Sequence, residues 1–388
     1  MTGLHAKIDY ILKHNAVLQI LYKVVVSFIF RCAGLFVKVD DQLVLFSGHG
    51  RKYNDSPRVI YEQMRIDPRC KNLRFVWSLD PNDTQVIEGA TIVHADTLSY
   101  FLTALKAKYW VTCVNIERGL RFKKRSTLYL NTWHGTPIKT IGNAVNGRND
   151  FDFSNIDFFL CAGDYERQIY ERDFSVRPAS IRMTGLPRND RLYHATQQDV
   201  AAARERLDIK PGQRVILYAP TWRDSIDGGA NYNIKPPVTM NRWKDVLGND
   251  CVVFVRAHAY TTQLMGIEFD ENVRNATGYE PVNDLLLASD ILISDYSAIL
   301  FDYCILERPM VCFAYDYEDY AKIRGMYLDI TEELPGCVFE VERALLDHIQ
   351  NMDMSAECVK TTRFKEKFLM AGGNATDMCI DYLMGDGK

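Results

Sequence analysis

Four apolar, strand-forming stretches of this sequence each run into polar side chains that can carry chemistry. The stretches are residues 126–130, 214–219, 252–255 and 290–293, and the residues that follow them are Trp133-His134, Pro220-Thr221-Trp222-Arg223, Arg256-Ala257-His258 and Ser294-Asp295-Tyr296-Ser297. If the strands are parallel, their carboxyl ends lie along one edge of a sheet and the polar clusters face one crevice. This arrangement predicts an α/β fold with its functional site at the strand ends.

The first cluster places an imidazole, His134, just after a strand. The Thr136-Pro137 pair suits the cap and first position of a helix, so the sequence predicts a strand-to-helix turn at His134. An isolated histidine is more often held by structural hydrogen bonds than used in chemistry. The three other clusters favour a functional role for His134.

Five motifs follow one another in a characteristic order. They are Trp133-His134-Gly135-Thr136-Pro137-Ile138-Lys139, Gly185-Leu186-Pro187-Arg188-Asn189-Asp190, Tyr218-Ala219-Pro220-Thr221-Trp222-Arg223, Arg256-Ala257-His258, and Ser294-Asp295-Tyr296-Ser297 with Phe301-Asp302-Tyr303. Together they resemble the CDP-glycerol glycerophosphotransferases, the teichoic-acid primases and polymerases and their relatives in capsule synthesis. The resemblance runs from about Leu43 to Gly336. Two departures are Ala259, where the family often has Pro, and Ala298, where it often has a second Ser.

The resemblance implies a GT-B arrangement, in which two Rossmann-like domains face each other across a cleft. The alternation of strands and helices by itself indicates only an α/β class. A length of 388 residues with 47% hydrophobic residues is enough for two cores. We expect an N-terminal domain, residues 1–190, on the acceptor and membrane side, and a C-terminal donor-binding domain, residues 191–388. The turn-rich stretch 185–191 marks the boundary, and a helix is predicted over 197–207.

The reaction that the resemblance implies is a displacement at the β-phosphorus of a CDP-polyol. A hydroxyl of a polyprenyl-diphosphate-linked saccharide acceptor attacks and CMP leaves; glycerol phosphate is the favoured group, and CDP-ribitol is the other donor considered. An imidazole is largely neutral near pH 7, so His134 is assigned as the general base. His258 is assigned to donate to the diphosphate or the leaving phosphate.

A helix start at the fourth cluster is the predicted phosphate site. Ser294 is the predicted N-cap, so that backbone N–H groups and the hydroxyls of Ser294 and Ser297 can hold a phosphate. Asp295 is expected to interact with the helix dipole, hold a neighbour or accept from a polyol hydroxyl. The other donor-binding candidates are Lys139, Arg188, Thr221, Arg223 and Arg256. Taken singly, Lys139, Arg223 and Arg256 are equally compatible with structural ion pairs, and the helix start with an ordinary capped helix.

Composition excludes several other classes of protein. The ten cysteines form no CxxC pair or zinc-type spacing, and without a signal peptide the expected compartment is the reducing cytoplasm. A net charge of -4 argues against a nucleic-acid partner. No DxD pair accompanies the motifs, so no obligatory protein-bound metal is predicted, although Mg²⁺ can accompany the nucleotide.

Two segments point to an anionic membrane surface. Residues 17–37 are apolar but contain Lys23 and Arg31, which makes them a poor spanning helix and a better interfacial one. Residues 118–125 interleave five cations with apolar groups, each cation adding about 1 kcal/mol near anionic lipid. The alternatives are a buried helix and a solvated loop. With the family resemblance, we expect peripheral attachment to the cytoplasmic face of the membrane.

Two other functions stay open from the sequence. One is a GT-B glycosyltransferase with a nucleotide-sugar donor, which the fold cannot separate from a polyol-phosphate transferase. The other is an inactive, membrane-associated subunit of a polymer-assembly complex, although such a subunit has little need for both His134 and His258. Glycerol against ribitol, primase against polymerase, the acceptor and the oligomeric state are not decided by these patterns.

Overall fold

The chain forms two parallel β-sheets in the computed structural model, which describes residues 16–145, 148, 151–221, 237–257 and 267–385. The first sheet contains β1 (Asp40–Ser47), β2 (Arg74–Leu79), β3 (Ala90–His94), β4 (Ala107–Thr112), β5 (Leu128–Asn131), β6 (Phe158–Cys161) and β7 (Ile181–Met183). The second contains β8 (Arg214–Ala219), β9 (Cys251–Val255), β10 (Val273–Asn275), β11 (Ile291–Ser294), β12 (Met310–Phe313) and β13 (Val338–Phe339).

Both sheets have the strand order of a Rossmann fold. The orders are β3-β2-β1-β4-β5-β6-β7 and β10-β9-β8-β11-β12-β13, and every strand pair is parallel. In each sheet, the first three strands extend to one side and the later strands extend to the other side. The change occurs between β1 and β4 in the first sheet and between β8 and β11 in the second, and a crevice opens at such a point. The predicted α/β class, the two Rossmann-like halves and the four predicted strands, now β5, β8, β9 and β11, are confirmed.

Helices cover the sheets and connect the strands. Their bounds are α1 (Ala16–Phe36), α2 (Asp55–Met64), α3 (Leu98–Lys106), α4 (Asp164–Asp173), α5 (Asp190–Tyr193), α6 (Gln197–Arg206), α7 (Met240–Leu247), α8 (Val282–Ala288), α9 (Ile299–Tyr303), α10 (Tyr317–Arg324), α11 (Ile330–Glu333), α12 (Glu342–Asn351), α13 (Met354–Phe368) and α14 (Ala375–Met384). The helix predicted over 197–207 is therefore confirmed as α6. Its start carries a capping box between Thr196 and Asp199.

The first sheet is buried on both faces. Successive residues of β1 alternate between them: Leu45 packs in the cluster on one face, whereas Val44 and Phe46 pack in the cluster on the other. The last helix, α14, contributes Cys379, Ile380 and Leu383 to the second of these clusters. The predicted boundary near residue 190 falls between β7 and β8, but α14 packs with the first sheet. Judged by its packing, α14 (residues 375–384) belongs to the first half. A single domain boundary at residue 190 does not describe this return of the chain.

Helix α1 corresponds to the apolar segment predicted over 17–37. Its inner side packs on the first half through Val26 and Phe30, whose ring lies 4.7 Å from that of Phe101 between centroids. The Ser27 hydroxyl accepts a hydrogen bond from the Arg121 backbone N–H at 2.9 Å. In the part of the chain that the structure describes, no helix is long and apolar enough to span a bilayer.

Candidate active site between the two sheets

A cleft of about 680 Å³ lies where the carboxyl ends of the two sheets face each other. Its walls include His49, Asp55, His134, Arg188, Arg256, Ser297 and Asp302. His49, His134, Arg256 and Ser297 follow strands, Asp55 begins α2, Arg188 lies between β7 and α5, and Asp302 lies in α9. Both sheets reverse their strand order at this cleft, so it is the place where an open α/β fold binds a ligand.

Trp133 fixes the direction in which the chain leaves β5. Its backbone has a φ of +52°, a left-handed conformation that is uncommon for a bulky residue. Its ring is buried against aromatic residues, with Phe174 at 4.5 Å between centroids, and its backbone N–H donates to Asn131 Oδ1 at 2.8 Å. These contacts hold a strained backbone next to His134, as often occurs at functional sites.

The helix predicted to begin at Thr136 and Pro137 is wrong. Thr136 Oγ1 donates instead to the buried Glu166 carboxyl at 2.5 Å, so it caps no helix. The chain then pairs across to the second half through a single antiparallel bridge between Lys139 and Met326. This long-range pairing holds the segment extended and prevents the local helix.

The His134 ring is held in one tautomer. Nδ1 lies 2.8 Å from the backbone oxygen of Cys113, which follows β4, and since a carbonyl can only accept, Nδ1 carries the proton. Nε2 is then the basic nitrogen. Burial, and next the neighbouring His49, lower the pKa of His134 to about 4. The ring is therefore neutral at physiological pH and suited to accept a proton.

His49 is a cleft residue that the sequence patterns had not singled out. It follows β1, and its ring centroid lies 4.7 Å from that of His134. Burial lowers its pKa from the usual value. The sequence pattern that predicted the other sites is also present here. The apolar run 43–46 is followed closely by Gly48-His49-Gly50, as the four recognised strands are followed by polar residues.

Arg188 is buried between two carboxylates, one from each half of the molecule. Nη1 donates to Asp55 at 2.9 Å and to the His134 carbonyl at 2.9 Å, and Nη2 donates to Asp302 at 2.8 Å. Burial is the largest influence on Asp55 and would raise its pKa, but Arg188, the Ser56 N–H and the two histidines together outweigh it and the pKa is lowered. The predicted contact between Arg188 and the donor stays a prediction. In the structure, Arg188 links the two halves through its ion pairs with Asp55 and Asp302.

Ser294 does not cap a helix, which corrects the prediction for the fourth cluster. It is the last residue of β11, and α9 begins only at Ile299 because residues 295–298 turn first. Its buried hydroxyl donates to the Ala219 carbonyl at 2.7 Å, which joins the ends of β8 and β11. The hydroxyl is thus already engaged within the protein. Its contact with the donor stays a prediction.

Asp295 and Thr221 continue this connection between the strand ends. Asp295 Oδ1 accepts from the Thr221 N–H at 2.8 Å and from the Tyr296 N–H at 2.7 Å. The carboxylate therefore holds backbone, one of the roles considered from the sequence. Ser297 is the member of this cluster that lines the cleft, where its Oγ accepts from the Ile299 N–H at 3.3 Å.

The predicted cations take different positions. Arg256 follows β9 and lines the cleft, with Nη1 donating to the Tyr279 carbonyl at 2.7 Å and Nη2 to Glu280 at 3.3 Å. Lys139 contacts the Tyr320 hydroxyl at 3.1 Å, away from the residues that line the cleft. Arg223, His258 and Ala259 lie outside the described residues.

Gly135 lets the His134 loop approach the second half closely. Its φ is +140°, and a Cβ placed on it would lie 2.6 Å from Cβ of Ala298. A larger residue at 135 would push the loop away from α9. His134 is therefore set at a fixed distance from the strand ends of the second sheet.

The fold and the site define a class of protein. Two Rossmann-like sheets face each other across a cleft that holds a neutral imidazole on one wall and an arginine with a serine on the other, which is the plan of a GT-B transferase. Within the described ranges, no three His, Cys, Asp or Glu residues are arranged to hold a metal ion.

The sequence profile of the family described as CDP-Glycerol:Poly(glycerophosphate) glycerophosphotransferase matches residues 29–384. The chain belongs to this family and is a transferase, which confirms the predicted resemblance. It is 32% identical over 345 residues to the teichoic acid glycerol-phosphate transferase of Staphylococcus aureus (strain NCTC 8325 / PS 47), covering 83% of this chain and 87% of that protein. It is 26% identical over 395 residues to a teichoic acid poly(glycerol phosphate) polymerase of Bacillus spizizenii (strain ATCC 23059 / NRRL B-14472 / W23), covering 97% and 99%.

Solved structures agree with this assignment. The wall teichoic acid polymerase TagF superimposes with a TM-score of 0.81 at 28% identity, covering 95% of this chain and 96% of that one. A His-to-Asn variant of TagF soaked with CDPG gives a TM-score of 0.80 at 29% identity over the same shares of the two chains. The GT-B arrangement expected from the sequence is confirmed.

Proposed function

We propose that this enzyme transfers glycerol phosphate from CDP-glycerol to a hydroxyl of a lipid-linked saccharide acceptor and releases CMP. The observation that carries the proposal is the neutral His134 in the cleft, with its Nδ1 proton fixed by Cys113 and its Nε2 basic. The relatives named for glycerol phosphate include one at 32% identity, whereas those named for ribitol phosphate are 28% and 25% identical, which favours glycerol.

The proposed step conserves every atom and charge. His134 Nε2 takes the proton of the acceptor hydroxyl while the oxygen attacks the β-phosphorus in line. The bond from the β-phosphorus to the bridging oxygen breaks, and that oxygen leaves with its electron pair as part of CMP. Asp55 lies close enough to favour the charged imidazole electrostatically, which partly offsets the desolvation of the ring.

The donor diphosphate is assigned to the wall formed by the second sheet. Arg256 and Ser297 supply a guanidinium and a hydroxyl in the cleft, and Arg223 and His258 are proposed to join them from outside the described residues. We propose no obligatory protein-bound metal. Active enzyme should contain no stoichiometric metal ion by elemental analysis, and turnover that follows the content of protein-bound metal would contradict this part of the proposal.

Donor screening tests the proposed reaction directly. Purified enzyme is incubated with acceptor and CDP-glycerol, CDP-ribitol or a UDP-sugar, and nucleotide release is measured. CMP release from CDP-glycerol is expected, and mass spectrometry of the product separates the addition of one unit from polymerisation. Release of UDP alone would support the sugar transferase, and no release from any donor would support the inactive binding subunit.

We also propose that the enzyme attaches to the cytoplasmic face of an anionic membrane through α1. The helix turns a row of large apolar side chains outward, and Phe28, Leu35 and Phe36 are 65%, 84% and 90% exposed. A continuous exposed apolar face of this kind suits the boundary between lipid headgroups and acyl chains. Attachment there would bring the cleft to a lipid-linked acceptor.

The basic segment 118–125 contributes less charge than its sequence suggests. Arg118, Arg121 and Lys123 form ion pairs with Asp96, Asp152 and Asp157, respectively. Paired cations attract anionic lipid less strongly, because part of their field is already balanced. The segment also supports α1, since the Arg121 carbonyl accepts from Arg31 at 2.8 Å.

Liposome sedimentation tests the attachment and ranks its two parts. Replacing Phe28 and Phe36 with Ser should weaken binding to anionic vesicles by about tenfold or more, because two aromatic groups leave the interface. Neutralising Arg121, Lys123, Lys124 and Arg125 should reduce binding less and weaken its salt dependence. Wild-type protein that ignores anionic vesicles at low salt would overturn the proposal.

A further inference from the structure

A tight turn after β1 holds His49 at the cleft. Gly48 precedes it, and a Cβ there would lie 2.2 Å from the Lys52 carbonyl oxygen and 2.7 Å from Asn54 Oδ1. Only glycine permits this close return of the chain. Since β1 is one of the two strands at the point where the first sheet reverses its order, the turn delivers an imidazole into the crevice.

The His49 ring is placed beside His134 without a hydrogen-bond partner of its own in the described parts of the chain. The two rings are tilted by 46° with centroids 4.7 Å apart. The charged groups that act on His49 are Asp55, Arg188, Lys52 and Glu280, in addition to the imidazole of His134. A neutral imidazole offers one donor and one acceptor, and polar groups at a desolvated position normally find partners.

We propose that His49 binds the acceptor, by hydrogen-bonding an oxygen on the polyol end next to the hydroxyl that His134 deprotonates. The attacking oxygen must lie about 3 Å from His134 Nε2. A group in ring contact with His134 therefore reaches the same end of the same molecule. A neutral imidazole, which both donates and accepts, matches neighbouring hydroxyls better than it matches a phosphate.

The geometry separates this role from donor binding. His49 and His134 both belong to the first-sheet wall, whereas Arg256 and Ser297 belong to the second. The inference rests on the proposed function, since it names the site of the acceptor in that reaction. It adds a residue that sets acceptor affinity rather than the chemical step.

Two variants distinguish a hydrogen-bonding His49 from one that only packs. His49→Phe keeps a ring against His134 and removes both nitrogens; His49→Gln keeps a donor and an acceptor and removes the ring. Losing one neutral hydrogen bond should raise the acceptor KM about two- to tenfold in H49F. H49Q should stay closer to the wild-type value. The CDP-glycerol Kd should be unchanged in both.

The measurements use the full chain, with a short-chain prenyl-diphosphate disaccharide that ends in one glycerol phosphate as the acceptor. KM and kcat come from CMP release, and calorimetry without donor gives acceptor binding independently of turnover. Wild-type acceptor KM and Kd in H49F together with impaired H49Q would overturn the inference in favour of packing. A raised CDP-glycerol Kd in both variants would also overturn it. If wild-type enzyme binds acceptor but releases no CMP, the proposed function fails. The acceptor Kd values of H49F and H49Q relative to wild type then still decide the inference.

Discussion

The two walls of the cleft are built differently. On the first-sheet wall, two of the functional side chains are themselves fixed by hydrogen bonds, His134 by the Cys113 carbonyl and Arg188 by two carboxylates and a carbonyl. On the second-sheet wall, buried bonds join the strand ends, and the cleft-lining Ser297 and Arg256 follow those ends, with Arg256 also held by the Tyr279 carbonyl and Glu280. The first wall is suited to keep a proton acceptor neutral and immobile, and the second is suited to hold an anion.

The largest effect is expected from the base on the first wall. His134→Ala should lower kcat by about 10²- to 10⁴-fold, since general-base catalysis contributes that much, and should leave the CDP-glycerol Kd nearly unchanged. His134→Asn is the matched variant, because its amide can still donate to Cys113 while no base is present. Near-normal kcat in H134N would show that Nε2 is not the base.

The second prediction concerns the tie between the walls. Arg188→Ala should lower the free energy of unfolding by about 3–5 kcal/mol, because two buried carboxylates lose their counter-charge. Chemical denaturation measures this. Arg167→Ala is the control: its ion pair with Asp164 is exposed and should contribute less than about 1 kcal/mol. A stable R188A protein that has lost CDP-glycerol affinity would instead support a direct donor contact.

The third prediction tests the second wall. Arg256→Gln should weaken CDP-glycerol binding by about 10- to 100-fold, since a charge-assisted hydrogen bond is worth about 1.5–3 kcal/mol. Lys139→Gln is the comparison, because Lys139 lies outside the cleft lining, against Tyr320, and the CDP-glycerol Kd should change little. Calorimetry measures both. Equal losses in the two variants would mean that the donor reaches beyond the described cleft.

The smallest effect is expected in the pH profile. Because the pKa of His134 is lowered to about 4, the base stays unprotonated down to that pH, and kcat/KM should have no acid limb near 6.5. The same shift gives stability that is present above about 6.5 and is lost as pH falls toward 4, since the unfolded chain takes up the proton first. The assay therefore needs circular dichroism at each pH. An acid limb near 6.5 attributable to His134 would contradict the structure.

The local sequence pattern predicts those features of the site that are determined by residues close together in the chain. The strand before His134 and the strands β8, β9 and β11 were predictable, because parallel strands buried on both faces give continuous apolar runs. The failed helix after Thr136 has a tertiary cause, the bridge from Lys139 to Met326. Ser294 failed as a cap because β11 continues through it.

The role of Arg188 could not be predicted from its motif. Its carboxylate partners lie 133 and 114 residues away along the chain, at Asp55 and Asp302. Neither spacing carries a local signal, so a phosphate contact and a structural ion pair have the same sequence pattern. The turn at His49, in contrast, could have been predicted from the sequence, because both its apolar strand and its flanking glycines can be recognised there.

The packing of α14 on the first sheet has a consequence for biosynthesis. The half that is translated first lacks Ile380 and Leu383 from its core until the ribosome has made the second half and the helix after it. The core of the first half therefore stays incomplete, with apolar surface exposed to solvent, while residues 191–374 are synthesised. Pulse proteolysis of ribosome-bound chains that stop before residue 375 should find the first sheet still susceptible.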